Sequence, residues 1–262
     1  MKSEHYVPLS QPRLLMRDAG HFAHRSYAAG MNATLNVSPL AKERRRHRPP
    51  IGWTALLVKA LAVIGRRTPA LRQVFMPFPW PHLYQHPRSV ATIVVERGWG
   101  GEAQVFFDQV QGPEELSLVE VDTLIRGMKF RPVESVGAFR RIIRFGRMPT
   151  PLRRLVSRAA LSISGRVRAR YFGTFSINSI PAPRTEVLQS FTPLTLSLFY
   201  GYVEPNGDVL IQVLWDQRVI DGRPIRRMLS ELESTLNGEI VAELQGRAAA
   251  VDLAGVDGRR SI

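Results

Sequence analysis

The sequence predicts an α/β two-layer sandwich in which a mixed β-sheet is covered by helices. Three observations lead there. Two alternating apolar segments flank the pair Asn206 and Gly207, the pattern of a β-hairpin closed by a tight turn. Strand-like and helix-like periodicities are interleaved along the chain, so some strands must be joined by helical crossovers. Hydrophobic residues make up 44% of the 262 positions, enough for a sizeable core, and no repeat, low-complexity tract or Gly/Ser linker divides them. A single domain over residues 1–262 is expected.

Taken in order, Met31 to Val37 alternate as a half-buried strand does. The run from Thr54 places Leu57, Leu61 and Ile64 at helical spacing, and Thr68 with Pro69 closes that helix. Val90 to Glu96 forms a β-branched strand. In the segment 138–170, Leu152, Leu155, Val156, Ala159 and Ile163 fall on one helical face while Arg153, Arg154 and Arg158 fall away from it, a basic amphipathic helix. The hairpin strands are LTLSLFYGYV from Leu194 and the run from Val209 to Trp215. Beyond them Pro224 suits a first helical turn, and Ile225, Met228, Leu229, Leu232 and Leu236 share one apolar face that Asn237 and Gly238 should end.

Composition excludes several functions. There is no cysteine, which removes disulfides, thiolate metal sites and a cysteine nucleophile together. The start, MKSEHYVPLSQPRLL, has no signal-peptide core, and the apolar stretch from Ala55 to Gly65 is interrupted by Lys59. It falls short of the roughly 20 residues of a membrane-spanning helix, so a cytoplasmic protein, peripheral to the membrane if it meets one, is expected. The formal charge is +14, and residues 139–170 hold ten arginines and no acid, with a second cluster at Lys42, Arg44, Arg45, Arg46 and Arg48. Such patches attract anionic partners. No helix-turn-helix, zinc or ribonucleoprotein pattern accompanies the charge, so nucleic acid is not expected. His82 and His86 have i, i+4 spacing, but Pro77, Pro79, Pro81 and Pro87 argue against a helical metal pair, and no metal is expected.

One segment carries chemistry. The order hairpin, DQRVIDG, amphipathic helix resembles chloramphenicol acetyltransferases and the catalytic domain of dihydrolipoamide acyltransferases of 2-oxo acid dehydrogenase complexes, which read H-x-x-x-D-G here. Asp221 and Gly222 match, and Gln217 stands where the histidine is expected. Upstream, GTFSINS from Gly173 to Ser179 is similar to the G-T-F-T-I-S-N strand that supplies an oxyanion-stabilising serine, which falls on Asn178. Arg17, His21 and Phe22 before the MNATLNV strand, and the pair Lys59 and Ala60, extend the resemblance over roughly residues 10 to 240.

The resemblance implies a homotrimer with active-site channels between subunits, acyl-coenzyme A or an acyl carrier as partner, and coenzyme A as substrate or ligand with no bound cofactor. It implies a basic helical insertion at about 138–170 and neither a lipoyl nor a peripheral-subunit-binding domain. In the resembling enzymes the histidine deprotonates the attacking thiol or hydroxyl and a donor holds the tetrahedral oxyanion. A glutamine amide does not titrate near neutral pH, so catalysis is expected to be impaired, whereas the Asn178 amide remains a donor. Asp221 is structural in those enzymes and pairs with an arginine, for which Arg17 is the candidate, and Gly222 lets the backbone leave the strand without a clash. His21, His24, His82 and His86 are candidates for a replacement base, Ser176 and Ser179 read as ordinary strand residues, and Trp53, Trp80 and Trp99 as core or loop packing. Three functions fit this reading. The first is an impaired homologue retaining a scaffold or ligand-binding role, the second an active acyltransferase working through Asn178 without a histidine, and the third a membrane-surface or polyanion-binding module acting through Arg153, Arg154 and Arg158.

Overall fold

The computed structural model describes residues 9–246 apart from 12, 16, 19–27 and 181–192. In chain order the elements are β1 (Ala28–Asn36), α1 (Ser38–Arg44), α2 (Trp53–Arg67), β2 (Gln73–Met76), β3 (His82–Gln85), β4 (Val90–Trp99), β5 (Glu102–Gln111), α3 (Leu118–Phe130), α4 (Gly137–Gly146), α5 (Thr150–Ser162), α6 (Gly165–Phe172), β6 (Phe175–Ser179), β7 (Leu196–Val203), β8 (Asp208–Asp216), α7 (Gly222–Thr235) and α8 (Val241–Leu244). Six strands form one mixed sheet in the order β1-β8-β7-β6-β4-β5, with β6 parallel to both neighbours and the other pairs antiparallel; β2 and β3 form a separate hairpin. The predicted mixed sheet covered by helices is the architecture observed.

The hairpin β7–β8 turns at Asn206 and Gly207 as expected. Gly207 has φ +90°, and a β-carbon there would lie 2.2 Å from Ser38 Oγ. Glycine is needed both for the backbone conformation and because α1 begins against the turn, where Val37 N–H donates to the Gly207 carbonyl at 2.8 Å. A second left-handed glycine, Gly173 at φ +85°, ends α6 and feeds β6 against Val90 and Thr92.

The core lies between one face of the sheet and α2, α3 and α7. Ile211, Val213, Leu196, Leu198 and Ile177 point there, and α2 is buried all round, with Leu56, Val58, Leu61 and Ala62 fully enclosed. Burial of such a side chain stabilises by about 1.5–3 kcal/mol. The opposite sheet face is polar yet buried, carrying Thr92, Ser176, Ser197 and Gln212.

The structure extends the expected elements. The strand predicted from Met31 begins three residues earlier, and β5 and α3 lie in the stretch after Val90 to Glu96 where no element was expected. The α7 helix does not end at Asn237 and Gly238: a π turn over Leu236–Ile240 carries it into α8. Leu236, Ile240 and Leu244 recur on one buried face, so packing holds the helical path through Gly238.

Candidate functional site

Position 217 is set by the end of β8. Asp216 is the last strand residue, with its backbone N–H donating to the Thr195 carbonyl, and Gln217 opens the turn that leads into α7. Gln217 is exposed. The turn is closed by its neighbour, because the buried Asp216 carboxylate accepts the Arg218 backbone N–H at 2.9 Å and its guanidinium at 2.6 Å. Arg218 also lies over the Phe75 ring, 4.4 Å from its centroid. Behind it, buried Arg168 donates to the carbonyls of Phe75, Leu161 and Pro193. Burial first, and then the charge of Arg218, push the Arg168 guanidinium down to about 10, so it stays protonated at neutral pH. Asp216, Arg168 and Arg218 are the residues that sequence reasoning missed. The available signal was Asp-x-Arg at a strand end, where an aspartate can accept from the backbone two residues on.

Asp221 does not pair with Arg17. Arg17 Nη2 lies 3.1 Å from Thr150 Oγ1 and 3.5 Å from Asp18, while Asp221 is exposed and has no ion pair among the described residues. It occupies the N-cap position of α7, where its charge complements the helix dipole without a side-chain capping bond. Gly222 is not sterically required either: it is the first residue of α7, and a β-carbon would meet only Trp215 at an ordinary 3.9 Å.

Asn178 lies on β6, on the polar face beside Ser176. Both hydrogens of its amide are engaged, donating to Ser176 Oγ at 3.1 Å and to the Leu198 carbonyl at 3.4 Å. Ser176 Oγ donates in turn to Ser197 Oγ at 2.9 Å. The expected oxyanion donor is therefore turned into the sheet. Register also separates it from position 217. Asn178 pairs with Phe199 and Phe199 with Gln212, so Gln217 lies five residues further along and two strands across. That is about 17 Å along the strands and about 10 Å across them, or roughly 19 Å in all. One chain does not bring Asn178 and Gln217 together.

The expected anionic-partner residues are redistributed. Arg153, predicted to face solvent, is 1% exposed and is the largest fully buried side chain among the described residues. Its guanidinium meets Asp18 Oδ2 at 2.6 Å and donates to the carbonyls of Gly146 and Met148. Arg154 reaches Asp18 Oδ1 at 3.1 Å, and of the three predicted residues only Arg158 is exposed without a carboxylate partner among the described residues. The physical reason is local: the corner between α4 and α5 offers carbonyls and a carboxylate, which an arginine satisfies and a leucine does not. Burial would raise the Asp18 carboxyl, but the hydrogen bonds of Arg153 and Arg154 and the charges of Arg153 and Arg17 outweigh it and hold the group below the ordinary aspartate range.

Among the candidate replacement bases, His21 and His24 lie outside the described residues. His82 and His86 sit on the β2–β3 hairpin and just after it, each Nδ1–H donating at 2.7 Å to a backbone carbonyl, of Trp80 and Arg88. Trp80 is 68% exposed at that hairpin's tip, not packed as expected. Lys59 spans the core to the carbonyls of Glu114 and Leu116 and lies 3.7 Å from Glu243, a structural tie. A cleft of about 260 Å³ beside Trp99, Arg140, Arg144 and Arg147 shares no residue with positions 178 or 217.

Sheet order, crossover and the β8–α7 turn define an acyltransferase fold of the chloramphenicol acetyltransferase type. Among solved structures the chain is similar to the dihydrolipoamide acetyltransferase of Azotobacter vinelandii, at TM-score 0.69 and 14% identity over 92% of this chain and 94% of that one. That enzyme was studied for the role of a serine, a histidine and an asparagine four positions after the histidine, the same interval as Gln217 to Asp221. The chain is also similar to a truncated catalytic core of the 2-oxoacid dehydrogenase complex of Thermoplasma acidophilum (TM-score 0.63, 13% identity, 90% of this chain and 99% of that one). A chloramphenicol acetyltransferase superposes at TM-score 0.52 with 9% identity, over 84% and 94% of the two chains. No family model and no curated protein matches the sequence.

Proposed function

We propose that this protein is an acyltransferase-fold homologue of the 2-oxo acid dehydrogenase acyltransferases in which base-catalysed acyl transfer is impaired, and which retains an acyl or coenzyme A ligand-binding or scaffolding role as a homotrimer. One observation supports the reading: Gln217 occupies the first position of the turn between β8 and α7, and the resemblance in sequence aligns it with the enzymes' histidine. Its amide accepts no proton near neutral pH, and loss of a positioned base removes about 100- to 10,000-fold in rate, or about 3–5 kcal/mol of barrier lowering.

The separation of Asn178 from Gln217 supports assembly, because a reaction centre using both positions has to draw them from two chains. The competing reading, an active transferase in which Asn178 alone holds the oxyanion, is disfavoured by the engagement of both its amide hydrogens within the sheet.

The test is acyl transfer from acetyl-coenzyme A to a panel of thiols and amines by the wild type, Gln217→His and Gln217→Ala, with mass in solution measured in parallel. The wild type should turn over at least about a hundredfold more slowly than Gln217→His. Enzyme-like turnover by the wild type that Gln217→Ala abolishes would overturn the impaired reading, and a monomeric mass would remove the homotrimer.

A further inference from the structure

Helix α5 is inverted. It buries Arg153 and turns Leu152, Leu155 and Val156 outward at 45%, 65% and 41% exposure, with Ile163 beyond its end at 60%. On α6, which packs against α5, Val167 and Tyr171, one turn apart, are also exposed. Arg158, Arg166 and Arg170 are exposed on the same two helices, and Arg140, Arg141 and Arg144 on α4 and Arg147 just after it are exposed as well. In residues 139–170, which contain no acid, only Arg153 and Arg154 pair with a carboxylate among the described residues.

We propose that the outward face of α5 and α6 is an interfacial docking surface for an anionic phospholipid bilayer. Leu152, Leu155, Val156 and Ile163 enter the boundary between headgroups and acyl chains, Tyr171 sits at headgroup level, and Arg158, Arg166 and Arg170 lie against the phosphates. Charge selects this occupant. A second copy seated through the same face would set Arg158, Arg166 and Arg170 against identical arginines. A polynucleotide would satisfy the arginines but give the exposed leucines, valine and isoleucine nothing to bury against. A bilayer surface supplies phosphates and an apolar layer at adjacent depths. Among the described residues no helix is long and apolar enough to cross a membrane, so the contact is peripheral, reversible and salt-sensitive. It is independent of the chemistry at Gln217.

The experiment uses the whole chain with phosphatidylcholine vesicles and with vesicles in which about one third of the lipid is phosphatidylglycerol. The double variants Leu155→Ser with Val156→Ser, and Arg158→Gln with Arg166→Gln, change exposed positions, and circular dichroism verifies their folding. The protein should sediment with the anionic vesicles alone, and either double variant should weaken binding at least about tenfold, as should raising salt from about 0.05 to about 0.5 M. Three results would overturn the proposal: no sedimentation with anionic vesicles, an apolar variant that binds as the wild type does, or duplex DNA bound as tightly as the vesicles. A fall in the mass in solution on introducing Leu155→Ser with Val156→Ser would also overturn it, by assigning the face to a second copy.

Discussion

Helices α2 and α5 are of comparable length, 15 and 13 residues, and both are rich in apolar residues, yet they bury opposite things. In α2 the apolar residues meet the sheet, and Leu56 and Leu61 disappear completely. In α5 the side that disappears is an arginine. The difference lies in what each helix packs against. The inner side of α5 meets the C-terminal carbonyls of α4, the negative end of a helix dipole, together with the Asp18 carboxylate. A guanidinium offers five donors to those acceptors, whereas a leucine would leave them buried and unpaired. Periodicity therefore shows that a helix has two faces, and the neighbouring element decides which is inside.

The packing of α5 depends most on its buried cation. Arg153→Ala strands the Asp18 carboxylate and the carbonyls of Gly146 and Met148, and should destabilise the protein by about 3–5 kcal/mol in urea unfolding. That is as much as Leu61→Ala in the apolar core, for which about 2–5 kcal/mol is expected. The double variant Asp18→Leu with Arg153→Met, which removes both charges and keeps volume, should recover the part of the loss due to the stranded carboxylate, while the carbonyls of Gly146 and Met148 stay unpaired. If Arg153→Ala cost less than about 1 kcal/mol, the α4–α5 corner would not depend on the pair.

Acid gives a second, smaller handle. The folded Asp18 carboxyl is held below its unfolded value near 3.9, so its contribution is complete above that pH and is lost as pH falls through the lower, folded value. The difference in thermal midpoint between wild type and Asp18→Asn should be constant at pH 6 and close as pH falls below about 4. A difference that persisted unchanged in acid would show that the carboxylate charge is not what Arg153 and Arg154 hold.

The same contrast explains what was legible in the sequence. The Asn206–Gly207 hairpin, the buried face of α7 and the β8–α7 turn could be read because their signals are local: alternation, a turn pair, an i, i+3, i+4 stripe. Two elements left readable marks that were not used. Ser117 and Glu120 form the capping box that starts α3, and Gly100 with Gly101 turns β4 into β5. The rest was written in distant pairs. Arg153 lies 135 residues from Asp18, and no spacing rule connects them. Arg17 was expected at Asp221 by resemblance, but Thr150 and Asp18 are its neighbours instead, and Asp216 with Arg218 closes the turn within two residues. At Gly222 the motif suggested a steric need that the space beside Trp215 does not impose.

The outward leucines of α5 should contribute almost nothing to the fold of the chain alone. Leu155 is 65% exposed, so Leu155→Ser removes little apolar surface that folding had buried. Its unfolding free energy should stay within about 0.5 kcal/mol of the wild type, against several for Leu61→Ala in the core. Solubility should rise at the same time, since an exposed apolar strip is a liability in water. A loss above about 1 kcal/mol would mean that the α5 face is covered in solution, and would place α5 alongside α2 as a helix whose apolar residues are buried after all.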